Sequence, residues 1–127
     1  MDPNTWLWIL AGFVALIFLG TGLLKLTTPR ERLMEAGIGW TEDFSQQTIR
    51  LLGVAEVLGA IGLVLPGLLG IVPILVPVAA SCLAVVMLGA IVVHVRRGEL
   101  LPDALRALAL LSCCVIVAVY RFGPQAF

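Results

Sequence analysis

The residue in this chain best suited to chemistry is Glu56, the single acid in the apolar run LLGVAEVLGAIGLVLPG. At 1.5 Å per residue of helix it lies about 9 Å beyond Arg50, the nearest charged residue before it. The residues three before, three after and four after it are small: Gly53, Gly59 and Ala60. A neighbouring helix can approach such a face closely. We therefore expect Glu56 to face other helices, where a carboxylate needs a cation or several hydrogen-bond donors.

Three polar residues at the same end of the predicted helices are candidate partners for Glu56. Lys25 and Thr21 lie one turn apart near the end of the first predicted helix, and His94 lies near the end of the third. The predicted ligand-binding or buried polar cluster is therefore Thr21, Lys25, Glu56 and His94. Its residues leave two roles open. One is a pocket for a small ligand, a quinone head group or a proton; the other is a structural pin that fixes the packing of the helices.

Metal binding and thiol redox chemistry are not predicted. The chain has one histidine, and a histidine without a companion does not make a metal site of the usual kind. Disulfide exchange in membrane proteins uses two thiols two residues apart near a membrane surface, whereas the thiols here are a lone Cys82 and the adjacent Cys113 and Cys114. We expect free cysteines that pack as small apolar residues.

The elements that must position these residues are membrane-spanning helices. Of the 127 residues, 61% are hydrophobic and 13% charged, whereas about a quarter are charged in a soluble domain. The mean hydropathy is +1.10. Because one span takes roughly 20 apolar residues, the uncharged stretches predict spans at about 5–24, 49–65, 74–95 and 104–120. The sequence thus predicts an all-α integral membrane four-helix bundle that forms a single domain over residues 1–127.

Two places along the chain decide the number of spans. The uncharged run over residues 57–93 is too long for one helix, and its predicted interruption consists of Pro66, Gly67, Gly70, Pro73 and Pro77.

A cleaved signal peptide is the alternative for the first span. We favour a span there, because the N-terminus has no Lys or Arg and no clear small-residue cleavage site.

The polar segment between the first two spans predicts a short interfacial helix. Thr28 suits the cap position, Pro29 the first helical position and Glu31 the acid of a capping box. The apolar side of this helix is formed by Leu33, Met34, Ile38 and Trp40. A plain surface loop is the alternative. Thr41, followed by two acids, predicts that the next helix starts there, in water.

The basic residues predict the orientation, because Lys and Arg in short loops stay on the cytoplasmic side. At one end lie Lys25, Arg30, Arg32, Arg50, Arg96, Arg97 and Arg106. Arg121 alone lies at the other, so we expect both termini to be extracytoplasmic. Arg96 and Arg97, with Glu99, form a predicted cytoplasmic loop anchor that meets anionic headgroups. The net charge of zero gives no reason to expect nucleic acid as a partner.

Three strings of residues together resemble the DoxX-like family of small bacterial membrane proteins: GLLKL, RLLGVAEVLGAIGLVLPG and PILVPVAASCLAVVMLGAIVVHVRRGE. The resemblance covers about residues 20–120. The residues that match the family's motif are Lys25, Glu56, Gly59, Pro66, His94, Arg97, Gly98 and Glu99. The resemblance implies a four-helix bundle in the bacterial inner membrane.

The resemblance also implies a link to membrane oxidoreductase complexes, since the family is named for its likeness to a membrane subunit of a thiosulfate:quinone oxidoreductase. The chain has no recognisable cofactor motif, so we expect at most a non-catalytic subunit. The expected function is a membrane subunit or anchor with a quinone-like ligand near Glu56. Its expected partners are membrane lipid, soluble redox proteins at the cytoplasmic face and a second copy of the chain. The alternatives are a small proton-coupled multidrug-type transporter and a purely structural membrane protein.

Overall fold

The computed structural model describes residues 2–127, and over these residues the protein is all-α. The helices are α1 (Pro3–Thr27), α2 (Arg30–Glu35), α3 (Gln46–Leu69), α4 (Leu75–Arg96) and α5 (Leu105–Phe122). A 3-10 turn at Gly39–Asp43 precedes α3, and a π turn at Leu100–Ala104 precedes α5. The predicted fold class, including the short helix between the first two spans, is confirmed.

Four of the helices are long and apolar enough to cross a membrane: α1, α3, α4, and α5 with the turn before it. α3 packs against α1 and α4, and α5 packs against α4 and α1, which closes the bundle. The core between the helices includes Val14, Phe18, Leu63, Leu83 and Val117. Large apolar side chains also cover the outer surface, where the surrounding medium is lipid. The chain is thus a multi-pass membrane protein.

The break between α3 and α4 is shorter than the prolines predicted. α3 continues through Pro66 and Gly67 to Leu69, and its C-cap is Gly70, whose φ of +67° is the left-handed conformation that terminates helices. Pro77 lies in the first turn of α4, where a missing N–H leaves no helical bond unmade. The prediction that Pro66 and Gly67 interrupt the run was wrong, and Gly70 with Pro73 makes the break, while Pro77 lies at the start of the third span, within the predicted residues 74–95.

The connecting segment, residues 28–45, is organised by Arg30. Its Nε donates to the carbonyl oxygens of Thr41 at 3.0 Å and Phe44 at 2.7 Å, and its Nη2 donates to that of Glu42 at 2.6 Å. These bonds fold the 3-10 turn back onto the start of α2. The cap residue of α2 is Pro29, without a side-chain hydrogen bond, so the predicted cap one residue earlier was wrong.

The start of α3 also differs from the prediction. Ser45 is the cap residue, and its Oγ accepts a hydrogen bond from Thr48 N at 3.2 Å. Thr41 is fully buried, and its hydroxyl donates to Ile38 O at 2.6 Å. The prediction that α3 begins at Thr41 was wrong, because that hydroxyl stabilises the preceding turn instead of capping a helix.

Candidate functional site

The candidate site begins with a close crossing of α1 and α3. A Cβ atom on Gly53 would lie 2.8 Å from the carbonyl oxygen of Gly22, and one on Gly22 would lie 2.9 Å from that of Gly53. The two backbones are therefore in contact, as small residues allow in membrane helices. Lys25 and Glu56 each follow one of these glycines by three residues, so the crossing brings the two side chains together.

Glu56 is 2% exposed and has two partners, both on α1. Thr21 Oγ1 donates to its Oε1 at 2.7 Å. Lys25 Nζ lies 3.0 Å from Oε1 and 2.7 Å from Oε2. Oε2 is enclosed, and the Lys25 ammonium group is its close polar contact. The structure thus brings Thr21 and Lys25 onto Glu56, and both carboxylate oxygens lie close to the Lys25 ammonium group.

The connecting segment covers this ion pair. Lys25 Nζ lies 5.6 Å from the centre of the Trp40 ring, within the range of a cation–π contact. The Trp40 ring in turn meets the Phe44 ring nearly edge-on, with 5.6 Å between the centres. Trp40 therefore lies against Lys25, and Phe44 packs against Trp40.

His94 belongs to a second polar group, at the end of α4. Its Nδ1 lies 2.9 Å from Glu99 Oε1. Gly98, with φ of +73°, reverses the chain, so that Glu99 N donates to His94 O at 2.8 Å. His94 makes no hydrogen bond to Glu56 within the part of the chain that the structure describes. The predicted cluster is therefore divided in two, because the turn at Gly98 gives His94 a nearer carboxylate.

Arg97 joins three carboxylates and links the end of α4 to the connecting segment. Its Nη1 donates to Asp43 Oδ2 at 2.7 Å, its Nη2 to Glu42 Oε1 at 3.0 Å and its Nε to Glu99 Oε2 at 3.2 Å. The bonds to Asp43 and then Glu42 raise the pKa of Arg97. The hydrogen bond from His94, with a smaller effect of Arg97, holds the pKa of Glu99 below its usual range. Glu99 is therefore an ionised acceptor at neutral pH.

The predicted loop anchor of Arg96, Arg97 and Glu99 is divided as well. Arg97 and Glu99 are paired with protein groups and with each other. Arg96 is exposed and makes no ion pair within residues 2–127. Of the three, Arg96 alone has a guanidinium group free for a lipid headgroup.

Both polar groups line one cavity of about 730 Å³. It lies at the loop end of the bundle, where α1 and α4 finish and α3 and α5 start. Its polar lining consists of Thr21, Lys25, Thr48, Glu56, His94, Glu99, Asp103 and Arg106. Apolar side chains of the spanning helices and connecting segment complete it, among them Phe18, Leu33, Trp40, Met87 and Leu110. Apolar walls with a few convergent polar groups are typical of a site for a small organic molecule.

One group of lining residues has the spacing of a metal site. The ligand atoms of His94, Glu99 and Asp103 lie within 4.8 Å of one another. Asp103 was not among the predicted site residues, because the turn that carries it toward the end of α4 is a loop feature. His94 and Glu99 already satisfy each other by a hydrogen bond, and Arg97 holds the second oxygen of Glu99.

The cysteines lie apart from this cavity. Cys114 is buried in the core and Cys113 is half-buried beside it on α5, whereas Cys82 on α4 is exposed on the outer surface. All three are free. Cys113 and Cys114 pack as small apolar residues.

A different polar group lies at the opposite end of the bundle, around Arg121. This side chain is 4% exposed, and its Nη1 donates to Asn4 Oδ1 at 2.8 Å and to Gln125 O at 2.8 Å. Its Cζ lies 4.0 Å from the centre of the Phe127 ring and 5.7 Å from that of Trp8. Sequence reasoning treated Arg121 only as a loop charge. No acid is near it in sequence, and its partners are neutral groups from both ends of the chain.

One comparison with known proteins gave a match. A sequence profile of the DoxX-like family matches residues 9–119, which include most of each spanning helix and both polar groups of the cavity. A search of curated proteins and a search of solved structures found no match.

Proposed function

Because the chain belongs to the DoxX-like family, we propose that it is a membrane subunit or anchor of a redox-associated complex that binds a quinone-like molecule beside Glu56. The observation that carries this proposal is the cavity of about 730 Å³, whose mostly apolar wall includes the buried pair of Lys25 and Glu56. A ligand that places a polar group beside this pair and an apolar ring against the remaining wall would match the lining.

The size and lining of the cavity support a ligand of this class. Sites for small organic molecules measure roughly 300–1,000 Å³ and are mostly apolar. Here Phe18, Trp40 and Leu110 supply apolar walls for a ring, and the two polar groups offer contacts for its oxygen atoms. The site is open to the loop end, next to the connecting segment, where a soluble partner would approach.

A structural pin is the competing role for Glu56. A buried ion pair that only held helices together would not need a cavity beside it, and packed apolar side chains often serve as well. The cavity next to the pair is what favours binding.

We further propose that the loop end faces the cytoplasm of a bacterial cell and that both termini lie across the inner membrane. Seven of the eight basic residues lie at the loop end, which supports this orientation. The exposed Arg96 and the connecting segment would then meet anionic headgroups and soluble redox proteins.

The test uses Trp40 as a reporter. Trp40 lines the cavity, whereas Trp6 and Trp8 are at the far end of α1, so replacing those two by Phe leaves one fluorophore at the site. In lipid nanodiscs, a short-chain benzoquinone should quench Trp40 saturably. Glu56→Gln should weaken this binding at least about tenfold, because the amide presents an N–H or a weaker acceptor.

The matched control is Glu31→Gln, an acid on the exposed side of α2 and outside the cavity lining, which should bind as the unaltered protein does. Quenching that never saturates would overturn the binding role. Unchanged binding in Glu56→Gln, with a lower free energy of unfolding, would establish the structural pin. Native mass spectrometry from native membranes checks the subunit role, because a bare monomer or dimer contradicts it. If only a bare monomer or dimer is found, loss of drug resistance in cells that carry Glu56→Gln would establish the alternative function, a proton-coupled multidrug-type transporter.

A further inference from the structure

The end of the bundle opposite the cavity holds a buried cation without a counter-ion. Arg121 is 4% exposed, and a guanidinium group keeps its charge in proteins. Its hydrogen-bond partners, Asn4 Oδ1 and Gln125 O, are neutral. Arg121 makes no ion pair in the part of the chain that the structure describes. A buried charge is costly unless an anion compensates it.

The acids of the chain do not supply that anion from where they lie. Asp2 is the acid at this end of the bundle, and it caps α1. Its Oδ1 accepts hydrogen bonds from Thr5 N at 2.8 Å and from Thr5 Oγ1 at 2.7 Å. The other acids lie at the loop end, in the connecting segment or the cavity lining. A compensating anion would therefore come from outside the chain.

Arg121 still has N–H groups with which to hold such an anion. Both of its hydrogen bonds use Nη1. Nε and Nη2 donate to no acceptor within residues 2–127, and neither is an enclosed atom. These two nitrogens form one edge of the guanidinium plane, and such an edge matches two oxygens of a phosphate group in fork geometry.

The surroundings of Arg121 place this edge at the membrane surface. The guanidinium lies against the rings of Phe127 and Trp8, whose centres are 5.5 Å apart. A Cβ on Gly67 would lie 2.7 Å from the Phe127 ring, so α3 leaves room for that ring. Arg121 is the next-to-last residue of α5, and tryptophan is typical of the headgroup level. The free edge of Arg121 therefore lies at the depth of lipid phosphates.

We propose that Arg121 binds an anionic phosphate group through Nε and Nη2. A phospholipid with net negative charge, such as phosphatidylglycerol, or free phosphate would supply the group. Asn4 and the two rings position the guanidinium, and the phosphate compensates its charge. This site lies at the opposite end of the bundle from the cavity, so the inference does not depend on the proposed function.

The test uses Trp8 as a reporter, because its ring lies beside Arg121. Replacing Trp6 and Trp40 by Phe leaves Trp8 as the single tryptophan. Phosphatidylglycerol and phosphatidylcholine, each with a nitroxide near the headgroup, are compared as quenchers of Trp8 in phosphatidylcholine nanodiscs. Phosphatidylglycerol should associate about fivefold more strongly, the usual effect of one basic residue at an anionic surface.

A second measurement distinguishes the lipid from a solute. Inorganic phosphate is added to unlabelled phosphatidylcholine nanodiscs, with chloride at the same ionic strength as the control. A saturable change in Trp8 fluorescence that only phosphate produces would identify free phosphate as the source. A preference for phosphatidylglycerol without this change would identify the lipid.

Three variants in the reporter background locate the site. Arg121→Gln removes the charge, so both responses should be lost. Arg121→Lys keeps the charge without the fork and should keep part of the response. The matched control is Arg96→Gln, an exposed arginine at the loop end, which should change neither response. The comparison of the two lipids before any change at Arg121 does not depend on whether Arg121→Gln folds.

Two results would overturn the inference. One is the absence of both a lipid preference and a phosphate response, because Asn4, Gln125 and the two rings would then be sufficient partners for Arg121. The other is a preference for phosphatidylglycerol that persists in folded Arg121→Gln, because its cause would then lie elsewhere in the chain. Neither result would alter the function proposed for the cavity.

Discussion

Two charged groups at the loop end differ in depth and in number of partners. Glu56 has one cationic partner and is 2% exposed. Arg97 reaches three carboxylates, but the side chains of two of them, Glu42 and Asp43, are each 51% exposed. Water weakens exposed pairs, whereas removing one partner of a buried pair leaves an uncompensated charge in apolar surroundings. Depth, and not the number of ion pairs, should decide how much each group stabilises the bundle.

The largest loss of stability is expected from Lys25→Met. It leaves Glu56 buried without its cation, and we expect the free energy of unfolding to fall by about 3–5 kcal/mol. A titration from mild detergent into SDS, followed by helical circular dichroism, measures the change. Adding Glu56→Leu should restore most of the loss, because no unpaired charge then remains. Equal stability of Lys25→Met and the unaltered protein would contradict the claim.

A smaller effect is expected from Gly53→Ala, which tests the crossing that makes the pair possible. Its added methyl group would meet the carbonyl oxygen of Gly22, which is backbone and cannot rotate away. We expect a loss of about 1–3 kcal/mol, the usual range for overpacking. Gly20→Ala on α1 is the control, since a Cβ there has open space around it. If both substitutions behave alike in the same titration, the crossing does not constrain the site.

The smallest effect on unfolding is expected from Arg97→Gln, despite the three carboxylates involved. The change should appear locally instead, as faster amide hydrogen exchange over residues 30–43, because Arg97 ties that segment to α4. Arg96→Gln, at the exposed neighbouring position, should leave the exchange unaltered. A loss of stability as large as that of Lys25→Met would reverse the comparison between the two groups.

The same contrast explains how much of the site could be predicted from the sequence. The spacing of Lys25, Thr21 and Glu56 follows from helical periodicity, and small residues on one face of α3 indicated which way Glu56 points. Such features depend only on regular helices, so the four spans were predictable too. The helix that runs through Pro66 was not, because tertiary packing in membranes tolerates proline.

The partners of His94 and Arg97 depend on turns, and turns were the weak point. Gly98 is a typical residue for a helix-ending reversal, and that signal could have placed Glu99 beside His94. Nothing local indicates that Arg97 meets Glu42 and Asp43, more than 50 residues away in sequence. Long-range contacts between irregular segments leave no periodic pattern in the sequence, so these contacts could not be predicted.

The bond between Arg121 and Asn4 has a consequence for the order of assembly. It joins residues 117 positions apart, whereas Lys25 and Glu56 are 31 positions apart. During synthesis the pair of Lys25 and Glu56 can form once α1 and α3 are in the membrane. The bond between Arg121 and Asn4, at the far end of the bundle, can form only after α5 has been synthesised. The half that holds the cavity therefore acquires its defining contact early, and the opposite half is completed when the chain is nearly finished.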